Sequence, residues 1–252
     1  MQTRDVTTGI GEQRLLALDD GSRIFLNTAT RVAVNYTDKT RLIQLKAGEA
    51  LFNVAKDAKR PFIVEAGDRK VTALGTSFVV RHDPAGTAVT LMEGKVTVTP
   101  VGEGATTPET RNTLGTEVKA SLQRLAKATL SNTATPADST GLDEVVTLAP
   151  GQRLTVTDHS TNLETASLEK AIAWRRGQVI LEDLPLDKAV EEMNRYNTVK
   201  LTVERPEAAA LLINGLFQAG DSMSFANAVS QTYGLHTIWR SEERRVGKEC
   251  RS

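Results

Sequence analysis

The sequence predicts a mainly β protein: an N-terminal β-roll or sandwich followed by a small α+β domain built as strand-helix-strand twice. Three observations carry this. Residues 60–81 alternate apolar and polar positions around a Gly67-Asp68 turn, the period-2 pattern of half-buried strands. A Leu-x-x-Gly theme flanked by β-formers recurs at Leu18/Gly21, Leu45/Gly48, Leu91/Gly94 and Leu148/Gly151. Each copy reads as strand, tight turn, strand, because glycine permits the positive φ such turns often need. From Trp174 onward the pattern changes to short strands alternating with helical spacing.

Taken in order, residues 9–98 are strand-rich. Leu16 and Leu18 alternate with Leu15 and Ala17, Asp19-Asp20-Gly21-Ser22 is a turn cluster, and Ile24-Phe25-Leu26 continues beyond it. In the stretch from Arg60 to Arg81, Phe62 and Val64 alternate with Ile63 and Glu65. After the turn, Leu74, Thr76, Phe78 and Val80 fall on one face of a single strand. Thr76 thus points with three large apolar side chains, directly after Gly75, and a buried hydroxyl there needs a partner.

Residues 100–143 lose the alternation and are dominated by Thr, Ser, Ala, Gly and Pro, the composition of a flexible insert. Within it, Val118, Leu122, Leu125 and Ala126 mark a short helix over Glu117–Leu130. Val145–Leu148 and Leu154–Val156 return as a strand pair that rejoins the sheet and closes a β domain over residues 1–157. Residues 158–173 read as a linker with a short helix.

The second domain covers residues 174–240. Gly177–Leu181 is a strand, and Pro185 suits the first turn of a helix. That helix carries Leu186, Ala189, Val190 and Met193 on one face. Val199–Val203 alternates strictly as a strand that Pro206 stops, and Leu211–Phe217 is the next. Asp221 or Ser222 caps a second helix bearing Phe225, Ala228, Val229 and Thr232, Gly234 ends it, and Leu235–Trp239 is the last strand. Two such units could form a small sheet with both helices on one face. Residues 241–252, with the only cysteine, Cys250, have no apolar period and read as translated vector or adapter sequence.

Composition excludes several functions. Lys plus Arg and Asp plus Glu number 31 each, and aromatics are 4%, so neither charge nor stacking platforms argue for nucleic acid. One cysteine excludes an internal disulfide framework. No run of about 18 apolar residues spans a bilayer, so no direct membrane contact is expected from this chain. His82, His159 and His236 have no metal-ligand spacing, and no phosphate loop, dinucleotide fingerprint or nucleophile elbow occurs. No metal or cofactor is implied. Arg175-Arg176 beside Trp174 reads as a solvated domain junction.

Several segments together resemble the periplasmic domain of the FecR family. They are Gly11-Glu12 with Leu18–Ser22, Leu26-Asn27, Leu45–Val54, the Arg60-Pro61-Phe62 strand start, and the Gly75-Thr76-x-Phe78-x-Val80 strand. The region from 174 resembles the short N-terminal domain of secretins and TonB-dependent receptors, through Gly177-x-Val179, Leu184-Pro185-Leu186, Asn194-Arg195-Tyr196, Leu201-x-Val203, Ile213-x-Gly215-x-Phe217 and Tyr233-Gly234-Leu235. The resemblance implies the periplasmic relay of a transmembrane anti-sigma regulator rather than a turnover enzyme. Its implied partners are the signalling domain of a TonB-dependent outer-membrane transporter and, through a cytoplasmic segment, an extracytoplasmic-function sigma factor. The transported ligand on family grounds is an iron chelate or a glycan. That cytoplasmic segment and an inner-membrane helix are expected to precede residue 1.

Partner contact through exposed strand edges points to Val199, Leu201, Val203, Ile213 and Phe217. The resemblance also marks Gly75-Thr76 as a candidate self-cleavage bond, in which the Thr76 hydroxyl attacks the Gly75 carbonyl. An unaided Thr hydroxyl is a poor nucleophile and needs a base or a strained peptide. His82 shares the face but lies roughly 20 Å further along an extended strand. The rival readings are a carbohydrate- or cell-wall-binding β module and a hydrolase with a site assembled across strands. The first calls for a row of aromatics, yet Tyr36 is the only Tyr or Trp in the first 170 residues; for the second, no constellation appears.

Overall fold

A computed structural model describes residues 3–101 and 145–236. The chain divides into two compact units, 1–172 and 173–252. The expected helix over Glu117–Leu130 lies outside the described residues, as do residues 102–144 and the tail beyond 236.

The first unit is a 13-stranded sheet folded over into two layers. Its strands are β1 (Thr3–Thr7), β2 (Arg14–Ala17), β3 (Arg23–Leu26), β4 (Arg31–Tyr36), β5 (Arg41–Asn53), β6 (Phe62–Ala66), β7 (Arg69–Ala73), β8 (Ser77–Asp83), β9 (Gly86–Glu93), β10 (Val96–Pro100), β11 (Val146–Leu148), β12 (Gln152–Val156) and β13 (Thr161–Thr165). One layer runs β1-β4-β5-β6-β7-β10-β11. The other runs β2-β3-β5-β8-β9-β12-β13. Every pairing is antiparallel except β5 with β6. The mainly β class and the two stacked layers agree with the sequence.

The long strand β5 belongs to both layers. Its first half pairs with β4 and β6, its second with β3 and β8. The switch falls at Lys46–Gly48, where the inward phase moves from Ile43 and Leu45 to Ala50 and Phe52. A one-residue change of phase turns every following side chain to the other face, so β5 can line the same core from both sides. Gly48 has φ +93°, and a Cβ there would collide with Thr30. The register with β4 shifts between Arg31 and Val32, which pair with Ala47 and Leu45, so Lys46 of β5 is the extra residue of a bulge that takes up the bend.

The Leu-x-x-Gly segments are therefore mostly not hairpins. Leu18/Gly21 is one, joining β2 to β3. Leu45/Gly48 is the β5 corner. Leu91/Gly94 joins β9 to β10, and Leu148/Gly151 joins β11 to β12, strands that lie in opposite layers. The expected pairing of 145–148 with 154–156 does not form: β11 pairs with β10 and β12 with β9. Part of the expected linker is β13, which pairs along the whole of β12, and the helix that follows, α1 (Leu168–Ile172), stays with the first unit.

The core is one cluster between the layers. Phe52 stacks on Phe78 at 5.2 Å and meets Phe62 edge-on at 6.0 Å, so strands of both layers supply its aromatic centre. Burying each of these rings contributes about 1.5–3 kcal/mol by area.

In the second unit a 3-10 turn (Ala173–Arg176) buries Trp174 before β14 (Gln178–Pro185). Then come α2 (Leu186–Asn194), α3 (Pro206–Ala209), β15 (Leu212–Gln218) and α4 (Ser222–Tyr233). β14 and β15 pair antiparallel. The predicted α2 stripe of Leu186, Ala189, Val190 and Met193 is buried. Asp221 caps α4, accepting the Ser224 N–H at 2.9 Å, and Gly234 closes it in the left-handed region. Of the predicted α4 face, Phe225 and Val229 are buried while Thr232 is exposed. The strand expected at Val199–Val203 does not form. Leu235 and His236 are not in a strand, and the rest of the expected last strand lies outside the described residues.

Candidate functional site

The predicted strand through Gly75-Thr76 is broken there. β7 ends at Ala73 in one layer and β8 starts at Ser77 in the other. Leu74-Gly75-Thr76 is the corner between them. Leu74 consequently turns out to solvent, 56% exposed, instead of sharing a face with Phe78 and Val80. Alternation alone missed this, because Val71 and Ala73 continue the inward phase of one layer and Phe78 and Val80 carry that of the next.

The corner is held at several points. The Val54 N–H donates to the Thr76 carbonyl at 2.9 Å, and the Ser77 hydroxyl donates to Asn53 Oδ1 at 2.8 Å. Gly75 has φ +126°, with the Lys56 side chain packed against the side where a Cβ would stand. Thr76 is buried, and its Oγ1 has no hydrogen-bond partner. The expectation that this hydroxyl would be paired is overturned. A solvent-excluded hydroxyl without an acceptor carries a cost of about 1–3 kcal/mol. Its neighbourhood supplies no hydrogen-bonded base. His82 lies at the far end of β8, where its Nδ1 meets Thr87 Oγ1 at 2.9 Å, in a cleft of about 510 Å³ also lined by Lys46, Asp68, Asp83 and Asp158.

The polar residues of the N-terminal segments serve the architecture. Asn27 donates to Glu49 Oε2 at 2.8 Å, and its own carbonyl accepts from Thr8 Oγ1 at 2.6 Å. Thr30 Oγ1 accepts the Glu49 N–H at 3.0 Å, beside the Gly48 corner. Asp20, from the Leu18–Ser22 turn, accepts from Arg41 Nη1 at 2.7 Å. Arg41 is fully buried, also bonding the carbonyls of Ala55 and Arg60 and lying 5.4 Å from the Phe62 ring centre. Burial raises the Asp20 pKa, but the Ser22 and Arg41 hydrogen bonds outweigh it and hold the carboxyl below its ordinary range. Tyr36 donates to Asp20 at 3.3 Å, and burial together with the Asp20 charge pushes its phenol well above the usual value. Sequence reasoning missed this buried pair, although Arg41 is in phase with the inward Ile43 and Leu45.

In the second unit the five predicted contact residues separate. Val199 is exposed, and Leu201 and Val203 are half-buried in a segment without a strand partner. The Asn194 side chain takes the place of one: it donates to the Leu201 carbonyl and accepts the Leu201 N–H, both at 2.8 Å. Lys200 bonds the carbonyls of Asn194 and Asn197. Ile213 is buried, and Phe217 packs edge-on to Phe225 at 5.0 Å. The exposed apolar side chains of β15 are instead Leu212 and Leu216, two positions the alternation assigns to the opposite face. Asp183, with φ +45°, forms a bulge in β14 that the Asn214 side chain fastens by two 2.8 Å hydrogen bonds.

Among the described residues no cluster of three metal-ligating side chains occurs, and no helix is long and apolar enough to cross a membrane. No curated protein matches the chain. Two crystal structures of a candidate anti-sigma factor from Parabacteroides distasonis ATCC 8503, at 2.50 Å and 1.65 Å resolution, share its fold. Both are 20% identical to it. The first has a TM-score of 0.67 over 95% of this chain and 96% of that one; the second has 0.66 over 94% and 95%. The family model described as FecR protein matches residues 4–97. That match spans β1 to β10 and includes the Gly75-Thr76 corner, so the FecR resemblance read in the N-terminal segments is borne out over these residues.

Proposed function

We propose that the chain is the periplasmic relay of a transmembrane anti-sigma regulator, receiving its signal from a TonB-dependent outer-membrane transporter and controlling an extracytoplasmic-function sigma factor. The family match supports the sigma-regulatory role, and the second unit supports the transporter as partner. Among the described residues its two strands have no further partner strand, and the apolar Leu212 and Leu216 are exposed. An incoming strand could bond to such an edge through its main chain, with alternate side chains setting specificity. On β15 the contact would fall to Leu212 and Leu216, because Ile213 is buried and Phe217 packs against Phe225; Val199, also expected from the sequence, is exposed.

Calorimetric titration of the full chain with a transporter signalling domain tests this. Saturable binding that Leu216→Arg abolishes supports it. Absence of binding to any signalling domain encoded beside the gene refutes it. Binding to soluble glycans instead would favour the carbohydrate-module alternative.

A second reading concerns Gly75-Thr76, and the unpartnered Thr76 hydroxyl favours it. Thr76 Oγ1 attacks the Gly75 carbonyl carbon, the hydroxyl proton passes to the Thr76 nitrogen, and the peptide C–N bond breaks to leave an ester. Water then opens the ester, giving a Gly75 carboxylate and restoring the Thr76 hydroxyl. This is single-turnover hydrolysis and leaves the chain a regulator. Intact mass after prolonged incubation reads it directly, and a persistently full-length chain refutes it.

A further inference from the structure

The Thr76 side chain has a neighbour from a distant part of the sequence. Gly94 sits at the corner between β9 and β10 with φ +91°, and its bare Cα faces Thr76. A Cβ there would stand 2.7 Å from Thr76 Cγ2 and 3.2 Å from Thr76 Cβ. The methyl is therefore the part of Thr76 pressed against Gly94, while Oγ1 lies buried elsewhere without a partner.

This contact acts on the one freedom the corner leaves. The Thr76 backbone is held by the Val54 N–H, and the next residue by Asn53. What remains is χ1, which has three staggered wells. Each 120° step exchanges the places of hydroxyl, methyl and hydrogen. Attack on the Gly75 carbonyl closes a five-membered ring through Oγ1, Cβ, Cα and N of Thr76, and only wells with Oγ1 gauche to that nitrogen permit it. An atom at the Gly94 Cβ position would evict the methyl and move the oxygen with it.

We propose that Gly94 is a positioning residue for Thr76: its missing side chain seats the Thr76 methyl and so fixes χ1, and with it where the hydroxyl stands relative to the Gly75 carbonyl. This rests on the scission reading above.

The test uses the full chain as wild type, Gly94→Ala, Thr76→Ser and the double variant. Intact mass over time reads scission. Three-bond NMR couplings from the backbone nitrogen and carbonyl carbon to Thr76 Cγ2 read χ1 independently of scission. Gly94→Ala is expected to shift the couplings and slow scission at least about tenfold, as small displacements of reacting groups do. In the Thr76→Ser background no methyl remains to evict, so the double variant should cleave within about threefold of Thr76→Ser alone, well inside that loss. Unchanged couplings in Gly94→Ala overturn the proposal. So does a double variant slowed as much relative to Thr76→Ser as Gly94→Ala is relative to wild type, since backbone strain alone then accounts for the loss. Should Gly94→Ala not fold, Gly94→Asn repeats the test, because Asn tolerates positive φ better. A wild-type chain that never cleaves removes the scission reading and the catalytic part of the proposal, while the couplings still decide whether Gly94 sets the rotamer.

Discussion

Thr76→Val isolates the unpaired hydroxyl. Valine keeps the β-branch and the methyl that rests on Gly94, and replaces only Oγ1. That oxygen is solvent-excluded and has no partner, so its removal cancels a desolvation cost of about 1–3 kcal/mol without breaking a hydrogen bond. For a unit of this size each kcal/mol moves Tm by about 2–4 °C. Thermal melting of the full-length chain, its integrity first checked by mass, should show the first unit's transition raised by roughly 2–12 °C. Thr76→Ala also discards the methyl and opens a gap beside Gly94, so it should recover less or lose stability. If Thr76→Val instead melts lower by more than about 1 kcal/mol equivalent, the hydroxyl is making a bond that the geometry denies, and the argument from an unsatisfied nucleophile fails. The same variant must also abolish any scission at Gly75-Thr76.

Asp20→Ala leaves Arg41 charged, buried and without its carboxylate, and should cost about 3–5 kcal/mol in urea unfolding, whereas a loss below about 1 kcal/mol would show that the pair is solvated. Because the folded-state pKa of Asp20 is depressed, its contribution is complete above the unfolded carboxylate value of about 4 and disappears as pH falls through the folded value. Acid melts should therefore fall more steeply below about pH 4 in wild type than in Asp20→Asn. Gly48→Ala meets Thr30 at the β5 corner in a left-handed backbone; a loss of at least about 1–3 kcal/mol is expected by denaturation, and wild-type stability would mean that the corner can shift freely. Leu216→Arg changes an exposed side chain and should alter stability by less than about 0.5 kcal/mol while abolishing capture of a transporter signalling domain.

The motif residues and the class of fold were open to sequence reading because they depend on local periodicity. Alternation found many strands of the β layers, though not β1 or β13, Pro185 and Asp221 marked the helix starts, and the α2 stripe is buried as its spacing required. Where the chain changes layer was not open to it. A strand that turns a corner and a strand that ends in a hairpin carry the same Leu-x-x-Gly letters, and only the partner on each side distinguishes them. For the same reason alternation placed Leu74 inside, and a regular Val199–Val203 was given a sheet neighbour that the Asn194 amide replaces. The isolated hydroxyl of Thr76, the glycine that faces it and the buried Arg41–Asp20 pair depend on residues about 20 positions apart in sequence being brought together. Periodicity records which face a side chain takes within its own strand; which other strand waits there is set by packing the two layers into one core.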